Sequence, residues 1–302
     1  MTQHTFSTRD RQTLMDGVPF LVKGLRCSNG LVSDEATDEL IAHLLLFADF
    51  DVNAVSVFFM GSRFGDVKGY REDATLDPAY AKRMARIIEA ADDQAMAVLV
   101  GCLYWGDSKA KWASWTQDEA NGAVRNTVAW LADHDYRNVF VDVDNEGMAR
   151  RAKGLDNRAM VLAGKEVDPT CVIGTNFRGE PPDEADLALH FAEPVPGKPY
   201  IESEGSPPGV EGGYWGAYSK REGFYGYLNV GVYTSEMKAS QIEATREHLE
   251  MSHGYMLAST WLQAPPPQGP NHRPGGKGTP GDPGVLWWLR WLREEQGPHR
   301  VS

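Results

Sequence analysis

Short apolar runs alternate with amphipathic stretches along most of the chain. Such runs are typical of strands buried on both faces of a parallel sheet, and the amphipathic stretches have the spacing of helices. The predicted strands are residues 19–25, 53–60, 96–103, 138–143, 171–175, 187–191, 200–203 and 255–262. Eight strands that alternate with helices favour closure into a (β/α)8 TIM barrel over an open sheet.

Two predicted helices have clear start signals. Asp77 can cap a helix that has Pro78 in its first turn, and Thr116 and Glu119 have the spacing of a capping box. Residues 33–47, 235–252 and 283–295 are also predicted to be helical. Parallel strands usually need a crossover of about a dozen residues. The connections that follow the fifth and sixth strands are short, so helices five and six are predicted to be reduced.

The chain has 302 residues and no internal repeat or linker. A TIM barrel takes roughly 250 residues, so the length predicts one domain over residues 1–302. We place the barrel proper at residues 17–296, between short N-terminal and C-terminal tails. No glycine-rich phosphate-binding turn follows the first strand, and no cofactor is predicted.

Charge and cysteine content exclude several classes of partner. The formal net charge is −12, which disfavours binding to nucleic acid or to anionic membranes. The three cysteines have no metal-binding spacing and are expected to be buried thiols.

The first residues lack the apolar core of a signal peptide, so we expect a cytoplasmic protein, or a secreted one if a leader has been removed. The oligomeric state is left open.

Polar and aromatic residues collect where the predicted strands end. Active sites of TIM barrels lie at this end of the strands. The candidates are Arg26, Arg63, Tyr104, Trp105, Asn145, Glu146, Asn176, His190, Glu204 and Trp261, together with Trp215 from a later loop. Glycoside hydrolysis needs two carboxyl groups, one protonated and one ionised. The tryptophans offer flat faces on which sugar rings can stack.

Two segments carry a more specific signal. VFVDVDNEG (139–147) and KPYIESEG (198–205) resemble the fourth-strand and seventh-strand motifs of glycoside hydrolase clan A, most closely family 5. The resemblance implies that Glu146 is the acid/base, that Asn145 binds the sugar 2-hydroxyl and that Glu204 is the nucleophile. It also implies a retaining glycosidase with a carbohydrate substrate and no metal.

The other strands match this clan less specifically. ALHF (188–191) resembles its sixth-strand motif, which makes His190 a subsite residue, and Trp261 resembles the tryptophan beneath the cleaved sugar. Two positions depart from the family pattern. Phe191 stands where a tyrosine usually supports the nucleophile, and CLYWG (102–106) lacks the histidine that usually ends the third strand.

Alternatives to this assignment are left open. Glu202 lies two residues before Glu204 and could be the nucleophile instead. The chain could be a carbohydrate-binding barrel without turnover, which the departure at Phe191 favours. Asp142, Asp144 and Glu146 could hold a divalent metal in a sugar isomerase or aldolase-like barrel. The sugar, its linkage and endo or exo action are also undetermined.

Overall fold

Eight parallel strands close into one barrel. A computed structural model describes residues 1–60, 67–105, 112–205, 232–258 and 274–296. The barrel strands are β4 (Lys23–Arg26), β5 (Ala54–Phe58), β6 (Ala97–Leu103), β7 (Val139–Asp144), β8 (Val172–Thr175), β9 (Leu187–Leu189), β10 (Tyr200–Gly205) and β11 (Gly254–Leu257). Each strand pairs with the next, and β11 pairs with β4 to complete the closure. The predicted TIM barrel is confirmed.

Helices cover the outside of the barrel. They are α1 (Asp34–Asp49), α2 (Pro78–Asp92), α3 (Gln117–Asp133), α4 (Met148–Lys153), α5 (Asn157–Val167), α6 (Ser235–Glu250) and α7 (Leu286–Gln296). The predicted start signals are confirmed: Asp77 caps α2, and Thr116 and Glu119 form the capping box of α3. Where the structure is described, no helix is long and apolar enough to cross a membrane.

The crossovers in the second half of the barrel differ from one another. Residues 168–199 are all described and contain no helix, so the connections from β8 to β9 and from β9 to β10 are loops, as predicted. The connection from β7 to β8 holds α4 and α5, which the sequence analysis did not place. A signal for α5 was present, since the Asp156 side chain accepts a hydrogen bond from the backbone N–H of Arg158.

The N-terminal residues, which were expected to lie outside the barrel, form a small sheet. Strands β1 (Phe6–Arg9), β2 (Gln12–Met15) and β3 (Val18–Pro19) pair antiparallel. Asp16 and Gly17 join β2 to β3 with φ angles of 54° and 78°, as a tight hairpin turn requires. The first predicted strand, residues 19–25, was therefore wrong at its start, because Pro19 belongs to this hairpin and the barrel strand begins at Lys23.

Strand ends also differ from the prediction, and the differences position candidate residues. β9 stops at Leu189 because His190 takes a left-handed φ of 40°, so the predicted strand through Phe191 was too long. β10 continues to Gly205 and carries Glu204 on the strand itself. β11 ends at Leu257. Cys27, Cys102 and Cys171 are buried free thiols, as expected.

Candidate active site

Arg26, at the end of β4, lies at the centre of the polar cluster inside the mouth of the barrel. Its Nη2 lies 3.1 Å from Oε2 of Glu204 and donates to Oδ1 of Asn145 at 2.9 Å. The guanidinium lies 5.0 Å from the ring centre of Phe58 and 5.4 Å from that of Tyr104. Arg26 has no exposed surface, so this ion pair is shielded from solvent.

The orientation of the Asn145 amide follows from its partners. Arginine can only donate hydrogen bonds, so Asn145 must turn its oxygen to Arg26. The same oxygen accepts from Nδ2 of Asn176 at 3.3 Å. Nδ2 of Asn145 is buried and has no hydrogen-bond partner among the described residues. Asn145 thus offers an unused donor inside the site, and such donors are usually satisfied by a ligand or water.

Glu146 follows β7 in a strained turn. It takes a left-handed φ of 51°, and Gly147 follows with 59°. The Asp144 carboxylate secures this turn by accepting hydrogen bonds from the backbone N–H groups of Ala149 at 2.9 Å and Arg150 at 3.0 Å. Non-glycine residues in this region of backbone space cluster at functional sites. The turn holds a Glu146 side chain that is only 6% exposed.

Burial, together with the negative charge of Glu204, raises the pKa of Glu146 to about 8. His190 and Arg26 oppose this shift, and a side-chain hydrogen bond with Glu204 adds to it. Glu146 is therefore mostly protonated near pH 7 and can donate a proton. Glu204 instead has the buried Arg26 guanidinium beside it. The two carboxyl groups thus have opposite electrostatic environments at one opening.

Glu202 occupies a different environment on β10. Its Oε1 lies 2.6 Å from Nδ1 of His190 and accepts from the backbone N–H of Glu204 at 2.9 Å. The Tyr200 hydroxyl donates to the backbone carbonyl of His190 at 2.6 Å and lies 3.4 Å from Oε2 of Glu202. Burial disfavours the charged imidazole, but the ion pair with Glu202 and, to a smaller extent, the negative charge of Glu204 raise the pKa of His190 to about 9. Glu202 therefore holds a cationic His190 beside the two candidate catalytic carboxyls.

The remaining candidates fall into three groups. Tyr104 is buried, and burial together with the charge of Glu204 raises the pKa of its hydroxyl. Trp105 is fully buried and packs 6.2 Å from Trp115, measured between ring centres. The structure thus brings together Arg26, Tyr104, Asn145, Glu146, Asn176, His190 and Glu204, and places Trp105 beneath the surface. Arg63, Trp215 and Trp261 lie outside the described residues.

The three acids proposed as metal ligands make other contacts. Asp142 accepts from Nδ2 of Asn176 at 3.2 Å and from the backbone N–H of Asp144 at 3.1 Å. Asp144 is engaged by the backbone of α4. Burial raises the pKa of Asp142 to about 6 and that of Asp144 to about 7. The described residues contain no group of three or more His, Cys, Asp or Glu side chains that could hold a metal ion.

Arg151 lies beside the candidate acid/base and was not among the residues predicted from sequence. Its Nη2 lies 3.9 Å from Oε2 of Glu146. Residues 148–153 (MARRAK) follow the fourth-strand motif directly, so their position was a usable signal. Because α4 was not predicted, however, nothing indicated which of the basic side chains turns toward the site.

We expect Arg26→Met to destabilise the fold by about 3–5 kcal/mol, because it leaves a buried carboxylate without its cationic partner. Urea denaturation of Arg26→Met, Glu204→Gln and the double variant measures this coupling. Adding Glu204→Gln to Arg26→Met should restore part of the loss. Arg125→Met is the matched control, since Arg125 is 46% exposed on α3 and should change the free energy of unfolding by about 0.5 kcal/mol or less. If the double variant lost as much free energy of unfolding as the sum of the two single variants, the coupling would be contradicted.

Comparison with known proteins gives solved structures only. No family model and no curated protein matches this chain. A β-glucanase from Saccharophagus degradans has a TM-score of 0.61 at 11% identity, covering 99% of this chain and 95% of its own. A glycoside hydrolase family 5 mannosidase from Rhizomucor miehei has 0.62 at 9%, covering 98% and 97%. An exo-β-1,4-mannosidase from an Opitutaceae bacterium has 0.61 at 13%, covering 98% and 62%. The chain shares the barrel fold of these enzymes.

Proposed function

We propose that this protein is a retaining glycoside hydrolase that cleaves an O-glycosidic bond in an oligosaccharide or polysaccharide. The observation that carries the proposal is the pairing of Glu146 and Glu204. They come from β7 and β10, which two strands of the barrel separate; both side chains are buried, and a side-chain hydrogen bond with Glu204 contributes to the raised pKa of Glu146. One has its pKa raised into the range of a general acid, and the other lies beside Arg26. Glycoside hydrolysis needs this division between acid and carboxylate.

The first step would transfer the sugar to the protein. A Glu204 oxygen attacks the anomeric carbon, the bond from that carbon to the leaving oxygen breaks, and Glu146 gives its proton to that oxygen. Forming the ester removes the charge of Glu204, which is one of the two largest causes of the raised pKa of Glu146. The pKa of Glu146 therefore falls at the moment when it must act as a base.

The second step would release the sugar. Glu146, now a carboxylate, takes a proton from water, the water oxygen attacks the anomeric carbon, and the bond to Glu204 breaks. Two displacements restore the original configuration. The side-chain hydrogen bond between Glu146 and Glu204 supports a short spacing, and retaining enzymes separate the two carboxyls by about 5–5.5 Å where inverting enzymes separate them by about 6.5–9.5 Å.

Glu204 is preferred to Glu202 because of what each carboxylate contacts. The oxygens of Glu202 are used by His190, Tyr200 and the backbone of β10. Asn145 supports the same substrate class, since its unused Nδ2 could donate to the sugar hydroxyl beside the anomeric carbon. His190 and Asn176 lie where they could line the subsite.

We expect kcat/KM to fall above pH 8. Protonated Glu146 is required for the first step, and its raised pKa of about 8 sets the point where that form is lost. Above pH 8, each further pH unit should lower kcat/KM about tenfold. Initial rates on an aryl glycoside between pH 5 and pH 10 measure the profile. An alkaline limb near pH 5 would contradict the protonated state assigned to Glu146.

The experiment that tests the proposal is a hydrolysis screen followed by product analysis. The names of the structural neighbours make aryl β-glucosides, aryl β-mannosides and the matching oligosaccharides the first set. Proton NMR during early turnover should show the product anomer with the configuration of the substrate. An inverted first product would contradict the double displacement, and no turnover of any glycoside would favour a binding barrel.

A further inference from the structure

Three arginines lie on the rim beside the candidate acid/base. Arg150 and Arg151 are on α4, directly after the turn that holds Glu146, and Arg178 follows β8. All three are exposed. Arg151 is 53% exposed and reaches to 3.9 Å from the Glu146 carboxyl. Arg151 thus lies beside the Glu146 carboxyl, and Arg150 is its neighbour on α4. We call Arg150, Arg151 and Arg178 the arginine rim.

Aromatic rings support two of these guanidinium groups. Arg150 lies 4.6 Å from the ring centre of Phe177, and Arg178 lies 5.2 Å from that of Phe191. Phe191 is stacked on His190, with 4.1 Å between ring centres. Stacking engages the face of a guanidinium and leaves its N–H groups available at the edge. The two arginines are thus held in place with their donors unused by the ring contact.

Phe177 ties this arrangement to the acid/base turn. A side chain added at Gly147 would meet Cβ of Phe177 at 2.7 Å, so the phenylalanine packs directly against the turn of Glu146. Arg150 is in turn stacked on Phe177. The distance from the rim to Glu146 is therefore set by packing.

The arginine rim differs in its pairing from several arginines elsewhere in the chain. Arg83 pairs with Asp34, Arg86 with Asp38 and the exposed Arg158 with Glu184. Within the described part of the chain, no carboxylate lies within 4.0 Å of the Arg150 or Arg178 guanidinium. A chain with a net charge of −12 thus leaves two ring-supported guanidinium groups unpaired beside its candidate active site.

We propose that the arginine rim binds an anionic group, a carboxylate or a sulfate, on the sugar that leaves the active site. The proposal rests on the proposed function, because the acid/base donates its proton to the leaving oxygen and so lies beside the departing part of the substrate. Planar guanidinium groups are suited to oxyanions through paired N–H donors. Phe191, which replaces the usual tyrosine, has a role here as the support of Arg178. The substrate class is an acidic glycan.

Calorimetry on the Glu204→Gln protein tests binding separately from turnover. The probes are oligogalacturonate, a hyaluronan tetrasaccharide and a sulfated chondroitin tetrasaccharide, compared with neutral cello- and manno-tetraose. At least one acidic probe should bind about tenfold more tightly than the neutral ones, and added salt should weaken it. The carboxylate-only and sulfated probes distinguish the two sources of charge.

Substitutions in the same background test the residues. Arg150→Gln and Arg178→Gln should each weaken the acidic probe about fivefold to tenfold and leave neutral binding within about twofold. Arg125→Gln, on the outer face of α3, is the matched control and should change neither. Equal binding of acidic and neutral probes, or acidic binding that survives both rim substitutions, overturns the proposal. Acidic binding without turnover in the wild type would contradict the proposed hydrolase and leave the arginine rim supported.

Discussion

Glu204→Gln should lower kcat/KM on an aryl glycoside by about 10⁴-fold or more, because an amide cannot form the ester intermediate. The fold should be retained, since glutamine matches the shape of glutamate. Initial rates at substrate concentrations well below KM measure the loss of kcat/KM. Glu204→Ala provides a second reading: added azide should restore turnover and yield the glycosyl azide of inverted configuration, because a small anion can attack from the vacated side.

Glu202→Gln is the matched comparison for this prediction. It removes one carboxylate from the same strand and keeps an oxygen that can accept from the backbone N–H of Glu204. We expect a loss of about 100-fold or less, caused by the lower pKa of His190 once its main anionic partner is gone. Near-normal activity in Glu204→Gln together with complete loss in Glu202→Gln would reverse the assignment.

Glu146→Ala should show a loss that depends on the leaving group. For a phenyl glycoside we expect a decrease of about 10²–10⁴-fold in kcat/KM, the usual contribution of general acid catalysis. A dinitrophenyl glycoside leaves as a stable anion and needs little protonation, so its kcat/KM should fall far less. The alkaline limb near pH 8 should also disappear, since the group that causes it is missing. Equal losses on both substrates, with the limb unchanged, would contradict the acid role.

Much of the barrel was accessible from sequence because its strands are buried on both faces. Runs such as residues 96–103 carry an uninterrupted apolar pattern that neither a loop nor an amphipathic helix would show. Active sites of TIM barrels lie where the strands end, and this placed Arg26, Asn145, His190 and Glu204 at one end of the barrel before any contact was known. The structure brings these side chains together around Arg26.

What the sequence did not provide were features set by individual backbone angles and by distant contacts. Asp16 forms part of a hairpin turn and His190 ends β9, both with left-handed backbone angles at places that apolar periodicity does not mark. The pairing of Arg26 with Glu204 joins residues far apart in the chain. Glu202 and Glu204 are two residues apart on one strand, so both are expected on the same face and the sequence pattern does not distinguish them. Their different environments arise from contacts with distant residues.

The departure at Phe191 shows how a family pattern can conceal a local change. From sequence it was a missing tyrosine and favoured loss of activity. In the structure its ring stacks on His190 and also lies 5.2 Å from the Arg178 guanidinium, so the position has acquired other partners. His190 keeps its carboxylate contact through Glu202.

Covalent trapping tests the central claim most directly. A 2-deoxy-2-fluoro glycoside with a dinitrophenyl leaving group slows both displacements, and the good leaving group lets the first outrun the second. The claim predicts that intact-protein mass spectrometry will show one added glycosyl unit, and that peptide sequencing will place it on Glu204. A label on Glu202, or rapid turnover of ordinary substrate with no trapped protein at all, would contradict it.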